Sequence, residues 1–149
     1  MRLKKEWLTF SYLSAVFVGI IKQDDDERKV LEYLDELEFL AETAGAIGDK
    51  KFIQRVDKPD KATYIRSGKL EEIARYCEDN CINYCIFDDE LTGMQQRNIE
   101  KVIKTAAVID RTSLILEIFA QRAKSSYAKM QVELAKYNYM LPRLAGMWT

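Results

Sequence analysis

Residues 14–21 read Ser14-Ala15-Val16-Phe17-Val18-Gly19-Ile20-Ile21, and Lys22-Gln23-Asp24-Asp25-Asp26 follow directly. The apolar stretch is about half the length a membrane helix needs. Arg2, Lys4 and Lys5 ahead of it imitate a secretion signal, but no small-residue cleavage site follows. A short, unbroken apolar run is the pattern of a β-strand buried on both faces, which places it inside a parallel sheet. The aspartates after it open a helix, where negative charge is favourable.

Working outward, the same alternation repeats. Val30, Leu34, Leu37, Ala41 and Ala44 fall at helical spacing, and Gly45 supplies a C-cap. Residues 51–56 (KFIQRV) read as a second strand, and 57–61 (DKPDK) as a loop. Ser67 is the expected N-cap of a helix whose inner stripe is Leu70, Ile73, Ala74 and Cys77. Residues 84–87 (YCIF) give a third strand, ending in Asp88-Asp89-Glu90. Thr92 caps a helix with Ile99, Val102, Ile103 and Ala106 inward, and 107–109 (AVI) form a fourth strand ending at Asp110-Arg111. Four strands joined by three helical crossovers predict an α/β fold, a four-stranded parallel sheet flanked by helices.

After Thr112 the alternation stops. Residues 112–123 and 128–141 read as two helices, the second ended by Pro142. Met130, Leu134, Tyr137, Leu141 and Leu144 recur at heptad-like spacing, matched by Ile115, Phe119 and Ala123. The expectation is an antiparallel, coiled-coil-like two-helix hairpin with its turn at 124–127. Residues 1–111 would be the α/β body, and 112–149 the hairpin and the start of a linker.

Charge divides the chain at the same place. The 149 residues carry 23 Lys+Arg and 24 Asp+Glu, a net charge of −1. Residues 111–149 hold Arg111, Arg122, Lys124, Lys129, Lys136 and Arg143 against Glu117 and Glu133, so this segment is net +4 and the remainder net −5. A basic projecting hairpin suits RNA or another anionic partner, and Tyr127 at the turn is placed to stack on a base.

Composition narrows the chemistry. Without histidine, Ser-His-Asp and Cys-His catalysis and His-based metal sites are excluded. Cys77, Cys81 and Cys85 are neither a disulfide framework nor a zinc ribbon, and read as small apolar residues in a reducing cytoplasm. Neither GxxxxGK[ST] nor GxGxxG occurs. Ser67, Gly68 and Lys69 open a helix, whose free N–H groups offer a candidate anion site. Asp88, Asp89 and Glu90 lie at the carboxyl edge of the sheet, where ligands of open parallel sheets bind. Their expected role is structural, capping the next helix and pairing with Arg97 or Arg111. Asp88, Asp89 and Lys69 are the candidates if the edge handles a nucleotide.

Five ordered stretches carry a family resemblance: residues 37–46 (LEFLAETAGA), 57–70 (DKPDKATYIRSGKL), 86–98 (IFDDELTGMQQRN), 108–123 (VIDRTSLILEIFAQRA) and 131–149 (QVELAKYNYMLPRLAGMWT). Together they resemble the amino-terminal domain of HflX, a ribosome-associated GTPase. Residues 1–13 carry none of it. The resemblance implies the body-and-hairpin fold and a role on the large ribosomal subunit, splitting or rescuing stalled ribosomes. It places the hairpin tip, here Arg122, Lys124, Ser125, Ser126, Tyr127 and Lys129, against ribosomal RNA. It implies GTP and Mg²⁺ for a GTPase domain that follows in the family, and no cofactor or catalysis for these residues. An intramolecular contact with that domain, modulating its turnover, is the alternative role, beside nucleotide binding. The chain departs from the family's KPDPATYIGSGK pattern at Lys61 and Arg66, and Ser113 replaces a usual glycine. Losing the glycine at 66 weakens any phosphate-wrapping turn there, because positive φ is less accessible to arginine. The expected setting is a cytoplasmic, ribosome-associated monomer with no membrane partner. Leu134 and Leu141 offer a route to pairing between chains if the hairpin opens.

Overall fold

The computed structural model describes residues 13–144. Its elements run β1 (Leu13–Ile21), α1 (Glu27–Thr43), β2 (Ala46–Arg55), α2 (Ser67–Asp79), β3 (Tyr84–Phe87), α3 (Gly93–Val102), β4 (Ala107–Asp110), α4 (Arg111–Arg122) and α5 (Ser126–Leu144). The strands form one parallel sheet in the order β2-β1-β3-β4. The basic residues at 2, 4 and 5 and the linker expected at 145–149 lie outside the described residues.

The apolar run is the heart of the sheet. Ala15, Val16, Phe17 and Val18 are almost fully buried. Alternation sends Val16, Val18 and Ile20 to one face, where they pack with Ile65, Leu70, Ile73, Phe87 and Ile99. Ala15 and Phe17 go to the other, against Leu34, Leu37, Ala41, Ile86 and Leu114. Both faces are thus covered, as the unbroken pattern of residues 14–21 requires.

Three boundaries differ from the sequence reading. β2 begins at Ala46 rather than Lys51; its first half is a polar edge strand that pairs with Leu13, Ser14 and Ala15 before a register shift. Gly45, at φ +103, takes the left-handed position just past the α1 C-cap, Ala44. The N-cap of α2 is Arg66, not Ser67, and no side chain caps it. Arg66 sits at φ −74, ψ 156, so its position never required glycine. The positive φ in this loop falls on Tyr64, at 66°. Thr92 does cap α3, forming a capping box with Gln95. Ile99, Ile103 and Ala106 are buried as expected, while Val102 is exposed.

The hairpin forms, but not on the expected seam. Met130, Leu134, Tyr137, Leu141 and Leu144 all point outward. The half-buried face of α5 is Ala128, Val132, Lys136, Tyr139 and Arg143, and it docks through polar bonds. Lys136 pairs with Glu117 at 3.3 Å, and the Tyr139 hydroxyl donates to Asp110. Pro142 lies inside α5 rather than ending it. Proline removes one donor from the final turn, and Arg143 ties that turn to the body: its Nη2 meets Glu90 at 2.9 Å, and its carbonyl accepts from Arg97 at 3.0 Å.

Candidate anion-binding arm and sheet edge

The arm starts at Asp110, the last residue of β4. Its carboxylate, 1% exposed, accepts from the backbone N–H of Ser113, capping α4, and from Leu91 N–H, each at 3.0 Å. The third donor is the Tyr139 hydroxyl of the returning helix. Burial, followed by this bond to Asp110, holds the Tyr139 phenol well above its usual range. One carboxylate thereby fixes where the arm leaves the body and where it comes back.

At the far end the chain turns at Ala123, Lys124 and Ser125. Ser125 Oγ accepts from Ala128 N–H at 3.0 Å, capping α5. The helix begins at Ser126, two residues earlier than expected, so Tyr127 stands in its first turn rather than in the link. Its ring is 71% exposed. Arg122, Lys124, Ser125, Ser126 and Lys129 are exposed around it.

Ion pairs split the six cations of this segment into two groups. Arg111 joins Asp88 at 2.5 Å and Glu36 at 2.8 Å. Lys136 and Arg143 pair with Glu117 and Glu90. Arg111 and Arg143 brace the arm against the body, whereas Lys136 ties the two arm helices to each other. Among the described residues, Arg122, Lys124 and Lys129 make no ion pair; all three lie at the tip. Tyr127 and these three cations are thus all exposed at the far end of the arm.

At the carboxyl edge of the sheet, a cleft of about 570 Å³ opens beside the ends of β1 and β3. Asp24, Asp25, Asp26, Asp88 and Asp89 line it against Lys22 and Lys29. The carboxylates that follow β3 are already engaged. Asp88 holds Arg111; burial raises its pKa and the arginine opposes that shift. Asp89 accepts from the buried Tyr64 hydroxyl at 2.5 Å, and Glu90 holds Arg143. The expected pairing with Arg111 is present, but the expected capping is not, since Thr92 caps α3; Arg97 instead serves the Arg143 carbonyl. Among the described residues no group of three or more acidic or cysteine side chains is arranged to hold a metal ion.

Lys69 does not line this cleft. It pairs with Glu72 at 3.2 Å, so the Asp88, Asp89 and Lys69 set is not brought together. At Ser67 and Gly68 the start of α2 is open, with nothing within 4 Å of a Cβ placed on Gly68. Cys77 and Cys85 are buried and Cys81 is exposed. The hydrogen bond that Cys85 donates to Cys77, then burial, push the Cys85 thiol up, which suits an inert core residue. No described helix is long and apolar enough to cross a membrane.

Sequence reasoning missed the junction of Asp110, Tyr139 and Arg143. An aspartate three residues before Ser113, at a strand-to-helix boundary, was its available signal. Nothing in the spacing of Tyr139 or Arg143 marked them as inward.

Comparison with known proteins agrees with the resemblance read from the five stretches. Over 147 residues the chain is 52% identical to the GTPase HflX of Flavobacterium psychrophilum, covering 99% of this chain and 35% of that protein. It is 44% identical to the GTPase HflX of Caldanaerobacter subterraneus over 133 residues, 89% of this chain and 30% of the relative. The chain spans about a third of the length of these curated relatives. Among solved structures, a GTP-binding protein from Sulfolobus solfataricus in complex with GDP matches with a TM-score of 0.68 and 28% identity, over 90% of this chain and 39% of that one. An SsGBP variant matches with a TM-score of 0.72 and 29% identity, over 90% and 41%. A family described as the GTP-binding GTPase middle region matches residues 122–149. Residues 31–120, the whole sheet after β1 with its helices, match the GTP-binding GTPase N-terminal family, and to that family the chain belongs.

Proposed function

We propose that this chain is the ribosome-docking part of an HflX-type GTPase, and that the tip of its arm binds RNA of the large ribosomal subunit. The observation that carries the reading is the sorting of cations. Arg111 and Arg143 are paired at the base of the arm and Lys136 partway along it, and Arg122, Lys124 and Lys129 are left at the tip with an exposed Tyr127. Unpaired cations displace counterions from phosphates, and an exposed aromatic ring adds stacking on an unpaired base. Ser125 caps α5 at this turn, and Ser126 is its first residue. Two roles then meet at residue 111, where the body aims and the arm touches. Leu114 nevertheless belongs to the body's core.

The body is less suited to a nucleotide. Five aspartates around the cleft repel a polyphosphate, and the chain lacks a glycine-rich phosphate loop. The open start of α2 at Ser67 and Gly68 would add at most a backbone contact to RNA, with Lys69 held by Glu72. GTP and Mg²⁺ would be handled by the part of the longer relatives that this chain does not match. A contact between the body and that part, affecting its turnover, would accompany ribosome docking.

Co-sedimentation with large ribosomal subunits across a salt series tests the tip. Saturable pelleting should fall steeply as salt rises. Lys124→Glu with Lys129→Glu should reduce the log–log salt slope by about two and leave the melting temperature unchanged. Equal pelleting of the wild type and the double variant would remove the tip from the mechanism.

A further inference from the structure

The outward stripe of α5 is apolar and unpartnered. Tyr127, Met130, Leu134, Tyr137, Leu141 and Leu144 follow one another at steps of three and four, and each is between 38% and 71% exposed. This heptad seam faces away from the body, because the opposite face of α5 is the one that docks. Among the described residues no other element covers it.

We propose that this stripe is a self-association surface and that its occupant is α5 of a second copy, running antiparallel. The stripe is self-complementary in that direction. With the two-fold axis between Leu134 and Tyr137, Leu134 meets Tyr137 of the partner, Met130 meets Leu141 and Tyr127 meets Leu144, so every layer is filled by apolar side chains, and pairing and stacking of RNA on Tyr127 exclude each other. The flanking positions are Gln131, Glu133, Asn138 and Met140, and like charges do not meet across the seam. A parallel pair would instead bring two sets of Arg122, Lys124 and Lys129 together. That repulsion selects the antiparallel arrangement. The six side chains leave on the order of 600 Å² per copy outside, somewhat below the roughly 800 Å² per partner of a standard interface. The pair is therefore expected to form at micromolar rather than nanomolar concentration. Because α5 is already helical and held by Asp110 and Arg143, association need not supply the cost of folding it. This departs from the monomer expected from sequence.

Sedimentation equilibrium of the full 149-residue chain, from about 1 to about 200 µM, tests it. The mass should rise from 17.4 kDa toward twice that value. Leu134→Glu with Leu141→Glu should hold it at the monomer, with circular dichroism unchanged. If that variant misfolds, the milder Leu134→Ala with Leu141→Ala should still shift the midpoint at least about tenfold. In a Cys81→Ser background, Leu134→Cys chains mixed with Tyr137→Cys chains should cross-link to each other more readily than either does to itself. A chain that stays at 17.4 kDa throughout overturns the proposal and leaves the stripe to a helix of different origin. A dimer indifferent to both double variants, or cross-linking of Leu134→Cys chiefly to itself, overturns the antiparallel seam.

Discussion

Asp110 is the residue with the most depending on it. It is nearly inaccessible, and its two oxygens accept from Leu91, Ser113 and Tyr139. Asp110→Ala would leave a buried N–H, a half-buried N–H and a half-buried hydroxyl without an acceptor, at a cost of about 2–4 kcal/mol. Tyr139→Phe keeps the ring and removes one bond, for about 1 kcal/mol. Urea midpoints should fall in that order, and a Tyr139→Phe loss as large as that of Asp110→Ala would mean that the caps contribute little. An aspartate before a helix is an ordinary N-cap in sequence, and that much of Asp110 was legible. Its third partner lies 29 residues away, beyond any local pattern. Tyr64 is the converse case: its buried ring and positive φ leave no trace in composition, because the surrounding fold imposes them.

Among the elements, α3 and α5 meet so closely that Gly93 has no room for a side chain. A Cβ there would lie 2.5 Å from the Arg143 carbonyl oxygen and 3.0 Å from its Cα. Both atoms belong to the backbone, so Gly93→Ala should push the end of α5 outward and break the bond from Arg97 to that carbonyl. The expected cost is about 1–3 kcal/mol, seen as a lower melting temperature; an unaltered melt would mean that the two helices can separate freely. The elements differ in how openly their sequences announced them. β1, β3, β4 and the inner stripes of α1 and α2 are buried in apolar surroundings, and hydrophobic periodicity reports that kind of burial. Half of β2 is a polar edge strand, which periodicity does not report. The seam of α5 was misplaced for the same reason. The pattern identifies the more apolar face of a helix, whereas this one docks by the face carrying Lys136, Tyr139 and Arg143.

At the scale of the molecule, stability is unevenly spread. The sheet has core on both faces, while α5 contains no buried residue and is held by a few polar contacts in its C-terminal half. Hydrogen exchange should therefore separate the regions, with amides of residues 128–140 exchanging well before those of 15–20 in β1. Uniform protection through α5 would show that its outer stripe is covered in solution. The body was readable because a buried parallel sheet leaves one consistent pattern. The candidate tip was readable as a cluster of charge, but which cations were already paired depended on distant carboxylates such as Glu36 and Asp88.

The joining of both roots of the arm at Asp110 has a mechanical side. α4 is a lever about 18 Å long, with its fulcrum at Asp110 and its working end at Lys124. A tilt of about 10° at the fulcrum carries the tip about 3 Å, the length of one hydrogen bond. A modest loosening at the root is thus magnified, at the tip, into the full distance over which a polar contact is made or lost.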